Sequence, residues 1–470
     1  MCGIAGIWTP DAAGSAPDLR ALAETMARTL AHRGPDDHGA WSDTSDGVAL
    51  AHRRLSIIDL SPLGAQPMIS SDGRFVIVYN GEVYNFPELR AELESKGHVF
   101  RGRSDTEVLL TSFMEWGVEA SIGRFVGMFA FALWDRARRE LHLARDPLGI
   151  KPLYYGWAGG AFLFASEMKA ICAHPGFTRE LNTGAVPLYF HFGYVPSPHS
   201  IYRGIAALRP GCLLKIDPEA LRRREPRLIP YWSAKDVVEK ALSDPFPGAE
   251  TDAARELERL LRRSVRSHMI SDVPVGVFLS GGVDSSLVAA LAVAESGAGV
   301  KTFTVGFEER RYNEAAEASA VARRLGTAHT EMYASSRDAL DVVPRLPEMY
   351  DEPFGDSSQI PTFLVSRLTR KHVTVVLSGD GGDELFFGYG MYPSVMKAWK
   401  SSRRAPAPLR ALCARALLAI SPATRRLPPA ALLPPARLMG RNPENLRESA
   451  LRLARGWLAR GFYDFYPMRL

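Results

Sequence analysis

The 470-residue sequence is 46% hydrophobic and 23% charged, with a formal net charge of +5, which is typical of a soluble globular protein of two or three domains. No run of residues approaches the ~18 consecutive apolar residues of a membrane-spanning helix, and no basic segment followed by an apolar core marks a secretion signal. The four cysteines (Cys2, Cys172, Cys212 and Cys413) lie far apart and form no CxxC pair, which favours reduced thiols in a cytoplasmic protein over disulfides or a zinc site.

The first 215 residues predict a domain of antiparallel strands with a few helices. The segments VALAHRRLSIID, RFVIVYNGEVYN, MFAFALWD and ELHLARD are rich in β-branched and aromatic residues, alternate in part, and are separated by polar turns. RALAETMARTLAH and FPELRAELESKG carry apolar residues three and four positions apart, as helices do. We therefore predict an α+β domain over residues 2–215.

A segment dense in Pro and charge predicts a linker over residues 216–250. Beyond it, the apolar segments VPVGVFL, KTFTVGF and HVTVVL read as strands. They alternate with the helical patterns DAARELERLLRRSVRSHM, SSLVAALAVAE and NEAAEASAVARRLG. This alternation predicts a parallel α/β sheet over residues 251–470.

Positive charge is concentrated at the C-terminal end of the chain. From Ser401 onward there are 13 Arg and 3 Asp or Glu, a local charge of +10, whereas the first 400 residues carry −5. These arginines are interleaved with Ala, Leu and Pro, as on the solvated faces of short helices. The sequence therefore favours a structural role for this segment, and no nucleic-acid or membrane partner is expected.

Cys2 stands directly behind the initiator methionine. Removal of Met1 would leave a thiol and a free α-amino group on one residue. A free thiol has a pKa of about 8.5 and an α-amino group one of about 7.7–8.0, so the amine could accept the thiol proton. The alternative is that Cys2 is simply a small residue after Met1.

Four further motifs decide between these interpretations: HRGPDD, HRRLSIID, YNGEVYN and GRSDTE. With Cys2 they resemble, in order, the class II glutamine amidotransferases, whose glutaminase domain has the N-terminal-nucleophile fold. The resemblance implies that Cys2 attacks the side-chain amide of glutamine, forms a thioester and releases ammonia. It further implies an oxyanion hole made by the Asn80 side chain and the Gly81 N–H.

The same resemblance implies how glutamine is held. Arg54 would bind the α-carboxylate, because its planar fork matches two oxygens. Asp105 and Glu82 would bind the α-ammonium group.

The segment SGGVDSS follows a predicted strand and precedes a predicted helix, a setting in which backbone N–H groups suit a polyphosphate. It lacks the GK[ST] ending of a Walker A loop. It resembles the loop of ATP pyrophosphatases, which cleave ATP between the α- and β-phosphates. The implied nucleotide-binding residues here are Leu279, Ser280, Gly281, Gly282, Asp284 and Ser285, with Asp284 also holding Mg²⁺.

A second loop, SGDGGDE, follows the predicted strand HVTVVL. By the same resemblance Ser378 and Gly379 would contact ATP, Asp383 would be a second Mg²⁺ ligand, and Asp380 would assist adenylate formation. Adenine would lie near Leu279 and Val305.

A class II glutaminase followed by an ATP pyrophosphatase domain resembles the glutamine-hydrolysing asparagine synthetases, as do SEMKA and DEPFGDSSQIP. The implied substrates are glutamine, aspartate and ATP, with Mg²⁺ as cofactor. Ammonia would pass between the sites along an enclosed apolar interface and displace AMP from aspartyl-AMP. The sequence leaves the oligomeric state open, with a homodimer as one candidate.

Two departures from the family keep other interpretations open. Family members are longer and carry a Lys-Val-Asp-Arg-Ser-Met type segment, which is not found after Tyr389. Either the chain is truncated or frameshifted, or another helix supplies that cation. The segment DEPFGDSSQIP also contains no arginine that could bind the aspartate substrate. Two alternatives to asparagine synthesis therefore stay open. The protein amidates another carboxylate, or it is a glutaminase-only or non-catalytic remnant with an incomplete synthetase domain.

Overall fold

A computed structural model describes residues 1–9, 18–296, 299–308, 313–424 and 458. The chain divides into two compact units, Met1–Ser378 and Gly379–Leu470. Of the basic C-terminal segment, residues 401–424 and 458 belong to the described part. Among the described residues, no helix combines the length and apolar character needed to cross a membrane.

The first sheet is antiparallel and has six strands in the order β10-β8-β9-β1-β3-β2. Its strands are β1 (Gly3–Trp8), β2 (Asp37–Asp43), β3 (Val48–Arg54), β8 (Tyr154–Ala158), β9 (Ala161–Ala165) and β10 (Ile205–Ala207). Because β1 pairs with both β3 and β9, the N-terminus of the chain enters the middle of this sheet.

The second sheet is also antiparallel, in the order β12-β11-β7-β6-β5-β4. Its strands are β4 (Met68–Ile69), β5 (Phe75–Val83), β6 (Gly127–Asp135), β7 (Glu140–Arg145), β11 (Cys212–Ile216) and β12 (Arg227–Pro230). The segments predicted as strands in the first 215 residues correspond to β3, β5, β6 and β7, so those predictions are confirmed.

The two sheets stack face to face around a common core. Alternate residues of β1, such as Ile4 and Trp8, meet alternate residues of β5, such as Val76 and Val78. Trp8 and Trp134 pack edge to face with ring centroids 4.9 Å apart at the centre of this layer.

Helices cover the outer faces of both sheets. The helices of this region are α1 (Leu19–Arg28), α2 (Phe86–Ser95), α3 (Asp105–Trp116), α4 (Val118–Ile122), α5 (Met168–Cys172), α6 (Ala185–Phe192), α7 (Pro218–Arg223) and α8 (Ala234–Ser243). α1 packs on the first sheet, while α2 and α3 pack on the second. The resulting helix–sheet–sheet–helix layers confirm the predicted α+β N-terminal-nucleophile class of fold.

A third sheet is parallel, with the order β15-β14-β13-β16. Its strands are β13 (Val275–Phe278), β14 (Lys301–Phe307), β15 (Ala328–Ala334) and β16 (Val375–Leu377). The helices around it are α9 (Glu250–His268), α10 (Val283–Ser296), α11 (Ala315–Leu325), α12 (Ser336–Val342), α13 (Leu346–Met349) and α14 (Gln359–Thr369). These elements confirm the predicted α/β parallel sheet. The second unit, which begins at Gly379, contains α15 (Gly382–Phe386), α16 (Met391–Ser402) and α17 (Ala407–Thr424).

The predicted domain limits of 2–215, 216–250 and 251–470 stay predictions. Within residues 216–250 the structure places α7, β12 and α8, and β12 pairs with β11 of the second sheet.

Candidate active site

Strand alternation places the predicted glutaminase side chains in the layer between the two antiparallel sheets. Cys2 lies two residues before Ile4, which faces this layer from β1. Arg54 continues the alternation of Val48 and Leu50 on β3, and Asn80 continues that of Val76 and Val78 on β5. Because alternate side chains point to one face of a strand, all three belong to the inter-sheet layer.

The Cys2 thiol is partly buried beside the backbone of Leu55. Its Sγ lies 3.4 Å from the Leu55 N, which donates to it, and 3.7 Å from the Leu55 O. Burial raises the pKa of the Cys2 thiol, while the Leu55 hydrogen bond, the N-terminal amine and Arg54 act in the opposite direction. A raised pKa keeps the thiol protonated at neutral pH, so it needs a base.

Such a base is available at the chain terminus. Burial lowers the pKa of the Met1 α-amino group to about 6, so an amine in this environment is largely neutral at pH 7. We expect the Cys2 amine that is freed by removal of Met1 to behave in the same way. It would then be ready to accept the thiol proton.

The Asn80 amide is an orphaned donor. Asn80 is 1% exposed, and its Nδ2 has no hydrogen-bond partner among the residues that the structure describes. The N–H groups of Tyr79 and Val83 donate to side chains, Gln66 and Asp105, and not to β6. By the two-residue repeat of an antiparallel ladder, the Gly81 N–H points to the same open side. An amide donor without a partner among the described residues, beside a backbone N–H that β6 does not use, fits the predicted oxyanion hole.

Arg54 is fixed by the loop that follows its own strand. Its Nη1 donates to the Ser61 O at 3.2 Å and its Nη2 to the Asp59 O at 2.5 Å. Asp59 holds this loop in shape: it adopts φ 57°, and its carboxylate accepts hydrogen bonds from Ser61 and from the Arg103 N. The guanidinium is thereby oriented before any ligand arrives, which suits recognition of a carboxylate.

Gly64 makes room for that guanidinium. A Cβ at this position would lie 2.1 Å from the Arg54 Nη2 and 2.7 Å from the Asp59 O. We expect Gly64→Ala to raise KM for glutamine by about tenfold while changing kcat little, because strain of ~1–3 kcal/mol displaces a substrate-binding group. Steady-state glutamine hydrolysis measures this. Gly123→Ala, where the nearest atom is 3.9 Å away, is the matched control, and an unchanged KM in Gly64→Ala would contradict the role of Arg54.

Glu82 and Asp105 bring two carboxyl groups to the same region. The Asp105 Oδ2 accepts from the Tyr79 hydroxyl at 2.8 Å and from the Val83 N at 3.1 Å. Burial raises the pKa of Asp105 and, together with the Asp105 charge, raises that of Glu82 to about 7. A cation that arrives here relieves the repulsion between the two carboxylates, so the pair fits the α-ammonium group of glutamine.

This pair predicts a pH dependence. Below about pH 7 Glu82 is protonated and attracts a cation weakly, whereas above it the carboxylate is formed. We therefore expect kcat/KM for glutamine to rise with pH through about 7, in part through Glu82. Glu82→Gln should remove this component and leave the ionisations of the other groups of the site, such as those at Cys2. Glu88→Gln in the first turn of α2 is the control, and an unaltered profile in Glu82→Gln would disprove the assignment.

Two further residues serve the site although the motifs assigned them no role. The Arg33 Nε donates to the Cys2 O at 2.8 Å and so holds the main chain of the nucleophile. The His52 Nε2 lies 3.0 Å from the Tyr79 O, next to the oxyanion-hole segment, and burial lowers the pKa of His52 to about 4. A neutral His52 with its proton on Nε2 fixes β5 from the opposite sheet.

The segment SGGVDSS follows β13 and runs into the first turn of α10, in the strand-to-helix setting that the sequence predicts. The Ser280 N donates to the Ser285 Oγ at 3.1 Å, and the Gly282 N lies 3.3 Å from the Ser280 Oγ. Gly281 has φ 81°, and a Cβ there would come within 2.7 Å of Glu317 on α11. Serine hydroxyls therefore hold a tight turn at the start of α10, with Asp284 in the first turn of that helix.

Neighbouring strand ends bring other predicted nucleotide residues to the same edge of the parallel sheet. β13 pairs with β14 and with β16, so Leu279 and Ser378 follow adjacent strands. The Leu279 side chain is 2% exposed, its N donates to the Phe303 O and its O accepts from the Thr304 hydroxyl. Val305 is half-buried and packs against the cluster of Ala334, Val342 and Leu364.

In the second unit, the other predicted residues lie around α15. Asp383 is in the first turn of α15, which follows Gly381 at φ 93°, while Gly379 and Asp380 precede that glycine. The described residues contain no cluster of three or more His, Cys, Asp or Glu side chains able to hold a metal. Asp284 and Asp383 therefore stay candidate Mg²⁺ ligands, each within its own unit, and the chemistry of a carboxylate suits an ion that takes few protein ligands.

Hydrogen bonds and a ring stack link the antiparallel sheets to the segments around the parallel sheet. The Asp59 N donates to the Asp272 Oδ2 at 2.8 Å, and Tyr84 stacks on His268 with centroids 3.8 Å apart. The Ile201 N donates to the Glu352 Oε1 at 2.7 Å. These contacts are polar or aromatic, and the expected apolar path for ammonia stays a prediction.

Known proteins match both halves of the chain. The glutamine amidotransferase domain model matches residues 1–232, and the asparagine synthase model matches residues 256–460. Asparagine synthetase 1 (glutamine-hydrolysing) of Bacillus subtilis is 37% identical over 392 residues, which cover 83% of this chain and 59% of the relative. A relative from Mycobacterium tuberculosis is 39% identical over 409 residues, with 83% and 61% covered.

The chain thus spans about three fifths of the length of these two relatives. Asparagine synthetase B (glutamine-hydrolysing) of Escherichia coli is 34% identical over 443 residues, which cover 90% of this chain and 71% of the relative. With both domain models matched in order, the chain belongs to the family of glutamine-hydrolysing asparagine synthetases.

Proposed function

We propose that this chain is a cytoplasmic, glutamine-dependent asparagine synthetase. Cys2 would hydrolyse glutamine to glutamate and ammonia, and the ammonia would react with an aspartyl adenylate made from aspartate and ATP. The observation that carries the glutaminase half is the buried Asn80 Nδ2, which lies in the same layer as Cys2 and has no hydrogen-bond partner in the described part of the chain. Family membership supports the synthetase half.

At the glutaminase site each group has a defined task. Arg54 holds the α-carboxylate of glutamine while Glu82 and Asp105 hold its α-ammonium group. The Cys2 amine takes the thiol proton, and Sγ attacks the amide carbon. Asn80 and Gly81 donate hydrogen bonds to the oxygen as it becomes negative. Ammonia leaves with the transferred proton, and water then hydrolyses the thioester to glutamate.

At the second site the aspartate β-carboxylate attacks the α-phosphate of ATP and pyrophosphate leaves. The loop of residues 280–285 and the N-terminus of α10 suit the phosphates, because their N–H groups and the helix dipole favour negative charge. Asp284 would hold a Mg²⁺ ion that neutralises phosphate charge, and Asp383 of the second unit is the other candidate Mg²⁺ ligand. Ammonia then attacks the acyl carbon and displaces AMP, giving asparagine.

The test is to incubate the protein with glutamine, ATP and Mg²⁺, with and without aspartate, and to measure glutamate, pyrophosphate and asparagine. Pyrophosphate and asparagine that form only with aspartate support the proposal. Pyrophosphate that forms only with a different carboxylic acid changes the acceptor. If glutamate forms but pyrophosphate does not, whichever carboxylic acid is added, the protein acts only as a glutaminase.

A further inference from the structure

A chain of four charged side chains leads from Cys2 to the segment DEPFGDSSQIP. Arg33, whose Nε donates to the Cys2 O, places its Nη1 2.7 Å from the Glu167 Oε1. The other oxygen, Glu167 Oε2, lies 2.6 Å from the Lys169 Nζ. Lys169 in turn contacts Asp351, with Nζ 3.3 Å from Oδ1 and its backbone N donating to Oδ2 at 2.8 Å.

These side chains are largely withdrawn from water. The exposed fractions are 7% for Arg33, 15% for Glu167, 22% for Lys169 and 15% for Asp351. Burial alone would raise the pKa of Glu167, but hydrogen bonds from His32, Lys169 and Arg33 lower it to about 2. Two cations and two anions balance, and changing one of them deprives a largely buried neighbour of an ion-pair partner, which disturbs the remaining geometry.

The ends of the network belong to different parts of the protein. Arg33, Glu167 and Lys169 lie among the elements of the antiparallel sheets, in the segments HRGPDD and SEMKA. Asp351 lies between α13 and α14, beside the parallel sheet that carries the predicted nucleotide loop. A residue of the synthetase half therefore takes part in holding the main chain of the glutaminase nucleophile.

We propose that Lys169 and Asp351 are positioning residues for glutamine hydrolysis. Asp351 orients Lys169, Lys169 fixes the Glu167 carboxylate, and that carboxylate aims Arg33 at the Cys2 carbonyl. Because the Cys2 carbonyl carbon is bonded to the Cα that carries both the amine and the thiol, a shift at Asp351 can be passed on to the reacting groups. This inference rests on the proposed function of Cys2 and assigns part of the support of the glutaminase site to the synthetase half.

The experiment compares steady-state glutamine hydrolysis by the full chain and four variants: Lys169→Met, Lys169→Arg, Asp351→Asn and the Lys169→Met/Asp351→Asn double variant. A small misplacement of reacting groups costs up to about 100-fold, so we expect each of Lys169→Met and Asp351→Asn to lower kcat by about tenfold. KM should stay unchanged, because no substrate-binding group is touched. Lys169→Arg should restore most of the rate, and the double variant should be no slower than the slower single one.

Lys96→Met is the matched control, since Lys96 also forms an ion pair, with Glu115 at 3.0 Å, but on the surface beside α3. An unchanged kcat in Asp351→Asn, or additive losses in the double variant, would overturn the inference. If Lys169→Met does not fold, as judged by its thermal unfolding, Asp351→Asn alone decides. A wild-type chain without Cys2-dependent glutamine hydrolysis would instead refute the proposed function, and this inference with it.

Discussion

Replacement of Cys2 by alanine is expected to abolish glutamine hydrolysis. An alanine offers neither the sulfur that forms the thioester nor the proton that the α-amine accepts, so kcat should fall by roughly 10⁴-fold or more. Ammonia-dependent synthesis of asparagine, if ATP and aspartate are supplied, should persist, because Cys2 takes no part in the second reaction. Glutamate release and asparagine formation, measured with glutamine or with ammonium as nitrogen source, give the result.

Cys172→Ala provides the comparison. Cys172 is a free, half-buried thiol at the end of α5, and burial raises the pKa of this thiol as it does that of Cys2. Its loss should leave glutamine hydrolysis intact. If Cys2→Ala still hydrolyses glutamine, the nucleophile lies elsewhere and the account of the first site is wrong.

Replacement of Asn80 by alanine is expected to lower kcat for glutamine hydrolysis by about 10²–10³-fold, the usual cost of losing one oxyanion-hole donor. KM should change little, because Nδ2 bonds to the oxygen mainly when it becomes negative in the transition state. Stability should be close to that of the wild type, since the lost Nδ2 has no partner among the described residues. Steady-state kinetics and thermal unfolding test both statements.

Asn85→Ala is the matched control, because the amide of Asn85 is already engaged. Its Nδ2 donates to the Arg124 O at 3.0 Å, and its Oδ1 accepts from the Val126 N at 2.9 Å. Loss of these bonds should reduce stability by ~1–2 kcal/mol without a comparable fall in kcat. A fall in kcat of equal size in both variants would show that the effect of Asn80 is structural.

Much of the fold could be predicted because its strands carry local signals. In β3, β5, β6 and β7 apolar and polar residues alternate in part, and these strands contain β-branched or aromatic residues. β13 is a short apolar segment, as expected for a strand with a neighbouring strand on each side in the sheet. β15 was missed for a physical reason. It is an edge strand, and only Ala334 of its seven residues is buried, so its sequence shows little apolar pattern.

The motifs name candidate site residues, and their roles stay predictions. Cys2, Arg54 and Asn80 were assigned from their motifs, and strand alternation places them in one layer. The support of the nucleophile could not be predicted in this way. Arg33 and Glu167 are 134 positions apart, and they meet because β1 pairs with both β3 and β9. Such a contact is set by sheet topology and has no local signature.

The most direct measurement is the mass of the N-terminal peptide from protein that is turning over glutamine and is quenched in acid. The account predicts a peptide that begins at Cys2, and a fraction of this peptide should carry a γ-glutamyl group on sulfur. In Asn80→Ala the same adduct should form much more slowly. A fully active protein whose N-terminal peptide still begins with Met1 would contradict it.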